Sequence, residues 1–174
     1  MTADRRRDEI LQALAGASGP VSAAALAARL GVSRQVVVGD VALLRAAGSP
    51  IVATPRGYVL GGGQEGGGVR CTVACRHGLD GLLDELYTVA DCGCGVLDVT
   101  VEHPVYGQLS GQLQVFSRYD ADVFWDALQK NGAQPLCSLT GDIHLHTLVC
   151  PDEARKARVL AALEEKGYLM GLEK

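Results

Sequence analysis

The sequence lacks the features that define several large classes of proteins. No stretch approaches the roughly 20 uninterrupted apolar residues of a membrane span, and the charged opening MTADRRRDEI runs on without a signal-peptide pattern. Aromatic residues make up only 5% of the 174 residues, yet 48% are hydrophobic and 21% are charged. This composition excludes a disordered tail or a coiled-coil rod. We expect a soluble, cytoplasmic protein without a membrane partner.

The cysteines do not form a recognisable disulfide or zinc-knuckle pattern. Their spacing is irregular, and without a signal peptide the expected compartment is reducing. We therefore expect free, mostly buried thiols at all six positions, Cys71, Cys75, Cys92, Cys94, Cys137 and Cys150. The segment Cys92-Gly93-Cys94 lacks Cys-x-x-Cys spacing and is predicted to be a turn of small buried residues, with thiol metal ligation as the alternative.

Lysine is missing from the first 60 residues. Seven arginines and four acidic residues give this part a formal net charge of +3, whereas the remainder of the chain has a formal net charge of −7. Guanidinium groups match phosphate oxygens, so any nucleic-acid binding belongs to the N-terminal part. Six glycines within 61–68 indicate a flexible linker. We predict an N-terminal domain at 1–60, a linker at 61–68 and a regulatory domain at 69–174.

The first domain shows the pattern of a winged helix-turn-helix. A first helix carries Ile10 and Leu14 and ends before Gly19-Pro20, a second helix begins after Ser22, and a third is predicted from Ser33 to Ala47. The last two are joined by a short turn containing glycine. This arrangement places the start of the third helix in the major groove of DNA.

Two short β-prone runs around Thr54-Pro55-Arg56-Gly57 predict a hairpin that would form the wing. The candidate DNA-binding residues are Ser33, Arg34, Gln35 and Arg56. Gly39 lies inside the third helix, where it costs about 1 kcal/mol relative to alanine, and close approach of backbone or DNA would explain it. The alternative is an ordinary three-helix protein-binding bundle with a solvated arginine face.

The second domain alternates strand and helix patterns in the order β-α-β-β-α-β-α. The predicted elements are Val69–Cys75, Asp80–Ala90, Val96–Glu102, Gln108–Phe116, Ala121–Asn131, Ile143–Val149 and Glu153–Lys166. Each helix has one apolar stripe, so the simplest packing is a four-stranded sheet with helices on one face. The predicted fold class is α+β, a two-layer sandwich.

All four histidines of the chain lie in this second domain. His144 and His146 are two residues apart on a predicted strand, so their imidazoles share a face and could chelate an ion; two solvated histidines at a strand edge are the alternative. His77 and Glu85 would be about 12 Å apart on one continuous helix, which is too far to share an ion. A loop after His77, supplied by Gly78, would remove that obstacle.

These residues predict a divalent ion held by His77, Glu85, His144 and His146. Nitrogen and oxygen donors without thiolate favour nickel, zinc, iron or manganese, and the donor types do not rank these ions. We expect nickel or zinc, with iron or manganese as alternatives. Three histidines and one carboxylate leave room for water or another ligand.

Distinctive motifs occur throughout the chain: SRQVVVGDVALLRAAG, RGYVL, RHGLDGLLDEL, DCGCGVLDVTVEHPVYGQL, FSRYDADVF and PLCSLTGDIHLHTL. Together they resemble those of the nicotinate-responsive repressors of NAD biosynthesis. The N-terminal part is similar to the winged-helix domain also found in biotin repressors. The remainder looks like the three-histidine (3H) domain, whose fold resembles the phosphocarrier HPr.

The resemblance implies a homodimeric repressor that binds a double-stranded DNA operator. Nicotinic acid would be its co-repressor, and the four residues named above would hold the metal. His103 and Tyr106 of HPVYG are expected near the ligand, and Arg76 or Arg118 could neutralise its carboxylate.

Other functions fit parts of the sequence. In a metal-responsive regulator the ion itself would be the signal. Three histidines and a glutamate also hold the metal of some dioxygenases, but those enzymes usually contain a β-barrel with more strands. A biotin ligase would need a longer domain with a Gly-x-Gly-x-x-Gly stretch. His77 before a helix resembles a phosphocarrier site, although the DNA-binding module favours regulation. We therefore predict a repressor that is not an enzyme.

Overall fold

The computed structural model of the protein describes residues 2–61 and 68–171. The chain divides into two compact units, 1–65 and 66–174, and each has its own hydrophobic core. Residues 62–67 of the predicted linker lie outside the described residues. The domain boundaries at 1–60, 61–68 and 69–174 therefore stay predictions.

The N-terminal unit contains three helices and a hairpin, as predicted. The helices are α1 (Ala3–Ala15), α2 (Ala23–Leu30) and α3 (Arg34–Ala46), and the strands are β1 (Ile51–Thr54) and β2 (Gly57–Leu60). The Ser22 and Ser33 side chains accept hydrogen bonds from backbone amides in the first turns of α2 and α3. Gly31 ends α2 in the left-handed region, with φ of 65°, which glycine adopts without a steric penalty. These caps explain why two short helices form with a tight turn between them.

The hairpin is joined to the helices through Val21, which precedes the N-cap residue of α2. Val21 and Tyr58 exchange two backbone hydrogen bonds of 2.9 Å. Gly57 makes this approach possible, because a Cβ there would lie 2.4 Å from the Val21 carbonyl oxygen. The β1–β2 turn is thereby held beside the start of α2, as a wing.

The second unit is a four-stranded antiparallel sheet in the order β3-β6-β4-β5. The predicted α+β class and its β-α-β-β-α-β-α order are confirmed. A short 3-10 helix that was not predicted lies before β6. The elements are β3 (Val69–Arg76), α4 (Leu79–Asp91), β4 (Gly95–His103), β5 (Gly107–Val115), α5 (Arg118–Asn131), the 3-10 helix (Leu136–Thr140), β6 (Ile143–Cys150) and α6 (Glu153–Glu165).

One face of this sheet packs against the helices. Leu86 of α4, Leu163 of α6 and Leu148 of β6 are at most 1% exposed and belong to one continuous core. Within the described ranges, the helices are too short or too polar to cross a membrane.

The expectation of six free thiols is wrong at two positions, because Cys94 and Cys150 form a disulfide. The cause is the strand register: Gly95 of β4 lies opposite Val149 of β6, which brings their neighbours Cys94 and Cys150 together. Their Cα atoms are 4.4 Å apart although 56 positions separate them in sequence. Cys71, Cys75, Cys92 and Cys137 are free, and all of these except Cys71 are buried. Cys92-Gly93-Cys94 forms a turn of buried cysteines after α4, as predicted.

Nothing in the N-terminal unit requires glycine at position 39. A Cβ there would meet no atom within 4 Å, and the residue is exposed on α3. We expect Gly39→Ala to raise the free energy of unfolding of this unit by about 0.5–1 kcal/mol, since alanine restricts the unfolded chain and favours helix. Denaturant unfolding followed by far-ultraviolet circular dichroism measures this change.

Gly31→Ala is the matched control. Its Cβ would also enter open space, but its φ of 65° strains an L-residue, so we expect destabilisation of about 1–2 kcal/mol. A loss of stability in Gly39→Ala would show that α3 needs glycine for a reason internal to the fold.

Candidate metal centre and DNA interface

Three imidazoles surround one buried carboxylate oxygen. Glu85 lies on the inner face of α4 and is 1% exposed. Its Oε2 is 2.5 Å from His77 Nε2 and 3.3 Å from the Nε2 atoms of His144 and His146. Glu85 Oε1 is also buried and has no hydrogen-bond partner among the described residues. The four residues predicted to hold metal are therefore adjacent.

Strand geometry and one glycine bring these side chains together. His144 and His146 are two residues apart on β6, so their side chains project to the same face of the sheet. This is the helix-covered face, and both side chains are buried there. His77 precedes α4, whose N-cap is Gly78, so a loop separates His77 from the helix carrying Glu85. A Cβ on Gly81 would lie 2.9 Å from His77 Cγ. Glycine at position 81 therefore lets the imidazole lie against the first turn of α4.

Each imidazole is oriented by its other ring nitrogen. The Nδ1 atoms of His77, His144 and His146 lie 2.9, 3.0 and 2.6 Å from the backbone carbonyls of Gly78, Asp142 and Asp98. A carbonyl can only accept, so each Nδ1 carries the proton and donates it. The Nε2 atoms are consequently the ones available to a metal, an arrangement typical of metal-binding histidines.

Electrostatic interactions within the cluster stabilise the charged forms of its carboxylate and of two of its imidazoles. Burial alone would raise the pKa of Glu85, but the positive charge of His146 and hydrogen bonds from the three histidines hold it well below its ordinary value. Burial alone would lower the pKa values of His77 and His146, whereas the interaction with Glu85 raises both. Glu85 is thus an anion in a site almost closed to solvent.

The residues fit a divalent metal ion. Three preoriented imidazole nitrogens and a carboxylate with one unsatisfied oxygen are ligands that nickel, zinc, iron and manganese accept. A buried polar atom without a partner is costly, and a cation would satisfy Glu85 Oε1.

A cavity of about 170 Å³ opens beside the cluster. Glu85 and the three histidines form part of its wall, and most of the rest is apolar: Leu82, Leu86, Val99, Leu113, Phe124, Leu128, Pro135 and Leu136. An apolar cavity with a few convergent polar groups is the usual form of a small-molecule site.

The four predicted ligand-binding residues are not part of this cavity wall. His103 and Tyr106 lie at the β4–β5 turn with their rings 5.0 Å apart. Arg118 forms a two-pronged ion pair with Asp91. Arg76 is the exposed last residue of β3. Their assignment to a ligand stays a prediction.

Two residues that the sequence patterns did not indicate belong to the site. Gly81 accommodates the His77 ring, and the Cys75 thiol lies within 4.8 Å of ligand atoms of Glu85 and His144. The sequence signal that could have indicated Gly81 was the pair of glycines, Gly78 and Gly81, around the start of a helix. No sequence signal indicated Cys75, because the residues near its thiol come from other elements.

In the N-terminal unit, the predicted DNA-binding residues cluster around one groove. Arg34 and Arg56 both line a groove that also includes Ser22 and Thr54. Gln35 is exposed beside Arg34 in the first turn of α3, and Ser33 caps that helix. Two cations and two helix N-termini are therefore near one another, which favours phosphate oxygens.

An internal ion pair sets the position of α3. Asp40 is 4% exposed and accepts hydrogen bonds of 2.5 and 3.1 Å from Nε and an Nη of Arg6 in α1. A buried, two-pronged pair of this kind holds the two helices in one orientation. Arg6 is thus occupied within the fold and does not belong to the phosphate-contacting set.

A helix-turn-helix unit with a wing, placed before an α+β unit, is the architecture of a DNA-binding transcription regulator. Residues 6–59 match the HTH domain family, and residues 70–172 match the 3H domain family.

Two curated relatives identify the family. The chain is 43% identical over 165 residues to the probable transcription repressor NiaR of Thermotoga maritima, and 40% identical over 167 residues to the transcription repressor NadR of Bacillus subtilis. Each match covers 95% of this chain and 93% of the relative. The chain belongs to this family of 3H-domain repressors of NAD biosynthesis. The predictions of the family and of a protein that is not an enzyme are confirmed.

The histidines provide a matched test of the metal centre. We expect His144→Ala to lose bound zinc or nickel after dialysis, because one of three imidazole ligands is removed. His103→Ala should retain the ion, since His103 is the one histidine outside the cluster. Elemental analysis measures the metal, and circular dichroism in chelator verifies that both variants are folded. Equal retention by both folded variants would contradict the assignment.

Proposed function

We propose that this repressor senses nicotinic acid through a metal ion held by His77, Glu85, His144 and His146. The observation that carries the proposal is the buried cluster of three histidines around Glu85, directly beside an apolar cavity. Membership of a family of NAD-related repressors supports the choice of ligand. The regulated genes would be those of NAD biosynthesis or of niacin salvage and uptake.

The charge of the site makes metal a requirement for binding this ligand. Glu85 presents a buried carboxylate oxygen, Oε1, that has no partner among the described residues, and a ligand carboxylate entering beside it would be repelled. A divalent ion would reverse the sign of the local charge and offer an open coordination position. The apolar wall would bury the pyridine ring, while the ion accepts a lone pair from the ligand.

The ion is a better partner for the ligand carboxylate than either predicted arginine. Arg118 is paired with Asp91 and lies over the Tyr87 ring, 4.4 Å from its centroid. Arg76 is exposed at the end of β3. Neither arginine lines the cavity, so in this proposal they act outside it.

In this proposal, the protein with bound ligand is a homodimer whose two N-terminal units match the spacing of the two operator half-sites, and it represses transcription by binding there. Each N-terminal unit would place the start of α3 in the major groove, with Ser33, Arg34 and Gln35 near base edges or phosphates and Arg56 on the wing. Two half-sites would then be one helical turn, roughly 34 Å, apart. As a regulator that binds DNA, the protein would act in the cytoplasm. The ligand acts only through a higher affinity for this dimer arrangement than for others.

The central prediction concerns DNA binding to the region upstream of the organism's NAD-synthesis genes. We expect nicotinic acid to tighten binding by about tenfold or more, a coupling within the usual allosteric range, and only when the protein contains metal. Fluorescence anisotropy with metal-loaded and chelator-treated protein measures the effect. Nicotinamide is the matched ligand control, because it has the same ring without the anionic charge.

Two outcomes would contradict this function. DNA binding that follows metal but not nicotinic acid would identify a metal-responsive regulator. Tightening by nicotinic acid in fully chelated protein would show that the ligand does not need the cluster.

The DNA interface has its own prediction. Arg34→Ala should weaken binding to operator and unrelated DNA alike, and lower the salt-dependence slope by about 1, because one phosphate contact is lost. Titrations at several salt concentrations measure the slope. Arg70→Ala, which removes an exposed arginine of the other unit, should change neither quantity. An unchanged slope in Arg34→Ala would remove Arg34 from the interface.

A further inference from the structure

A buried thiol faces the metal cluster from the neighbouring strand. Cys75 of β3 lies opposite His144 of β6 in the sheet register, so both side chains project to the helix-covered face. Cys75 is completely buried and is not in a disulfide. Its sulfur, a Glu85 carboxylate oxygen and a His144 ring nitrogen all lie within 4.8 Å of one another. Ligand atoms of one ion have separations of this size.

The charge of the cluster provides a second, independent argument. A divalent ion with three neutral imidazoles and one carboxylate keeps a net charge of +1, in a site where Glu85 and His144 are at most 2% exposed. Burial of an uncompensated charge is expensive. Glu85 Oε1 is buried without a hydrogen-bond partner among the described residues, so a cation would satisfy it, and an anionic ligand would compensate the charge that the ion brings.

We propose that Cys75 is a direct ligand of the metal ion and coordinates it as the thiolate. The thiol proton passes to solvent when the ion binds, and the ion with Glu85 and Cys75 is then neutral overall. The inference rests on the proposed metal site and adds a residue that the histidine and glutamate pattern does not include.

Thiolate ligation has a consequence for metal choice. Soft sulfur ligands favour zinc, nickel and cobalt over manganese, which prefers oxygen. Cys75 therefore makes the site selective for thiophilic ions. An anionic effector entering the cavity would meet a neutral centre, so it would have to displace Cys75 or bind in addition to it.

Cobalt provides a direct test. The metal-free full-length protein is titrated with Co²⁺ under anaerobic conditions. A cobalt–thiolate bond produces an intense near-ultraviolet charge-transfer absorption that imidazole and carboxylate ligands lack, whereas weaker visible bands report cobalt binding by any of these ligands. We expect both absorptions in the unaltered protein. In Cys75→Ser, only the charge-transfer absorption should be lost.

Cys137→Ser is the matched control. Cys137 is also a buried free thiol and lines the same cavity, but it is not in the group formed by Cys75, Glu85 and His144. This variant should keep the full cobalt spectrum. Loss of the charge-transfer absorption in Cys137→Ser, but not in Cys75→Ser, would assign the thiolate to Cys137 of the 3-10 helix and overturn the proposal.

The failures of the two proposals are distinguishable. Visible bands without charge-transfer absorption in the unaltered protein would leave the metal centre intact and overturn Cys75 ligation. The absence of all cobalt bands would overturn the metal centre itself, and Cys75 ligation with it.

A second measurement does not depend on cobalt spectra. Competition with a chromophoric chelator compares metal affinities of Cys75→Ser and the unaltered protein. Zinc affinity should fall by at least the roughly tenfold that even outer-shell substitutions cost, and manganese affinity should change much less. An equal loss for both ions would indicate that Cys75 only packs against the site.

Discussion

The buried carboxylate of Glu85 is the constraint on which the second unit depends. An anion that is 1% exposed is tolerable only with nearby positive charge or hydrogen-bond donors. The three histidines that meet this requirement come from the loop before α4 and from β6. The cluster therefore ties the first helix of the unit to a central strand of the sheet. The apolar cavity lies beside this connection, so its occupant would contact both elements.

This arrangement links metal, ligand and structure through charge. Without metal, Glu85 pairs with its histidines through Oε2, and its unpaired Oε1 would repel an incoming carboxylate. Under the proposed function, the same residues would become ligands once a metal ion is bound, and the cavity would then receive an anion. The backbone carbonyls that accept from Nδ1 would keep the imidazoles oriented with and without metal, because these bonds do not involve Nε2. Sensing as proposed would therefore require little rearrangement of the site itself.

The N-terminal unit uses charge in a different way. Asp40 on the inner face of α3 is paired with Arg6 and lies 3.7 Å from Arg7, so two of the seven N-terminal arginines support the position of the helix. Arg34 and Arg56 lie around the groove between helices and wing. A basic composition alone does not distinguish an arginine that holds the fold together from one that faces DNA. The structure identifies Arg6 as one that holds the fold together, because it pairs with the buried Asp40.

Local patterns in the sequence determined the helices, their serine caps, the β-α-β-β-α-β-α order and the shared face of His144 and His146, because these depend on residues close together in the chain. Only the tertiary structure decided which distant groups meet. The β4–β6 register joins Cys94 to Cys150, the β3–β6 register places Cys75 opposite His144, and Gly81 admits the His77 ring beside Glu85. Those contacts depend on strand pairing and helix packing across the whole unit, which short-range periodicity does not specify.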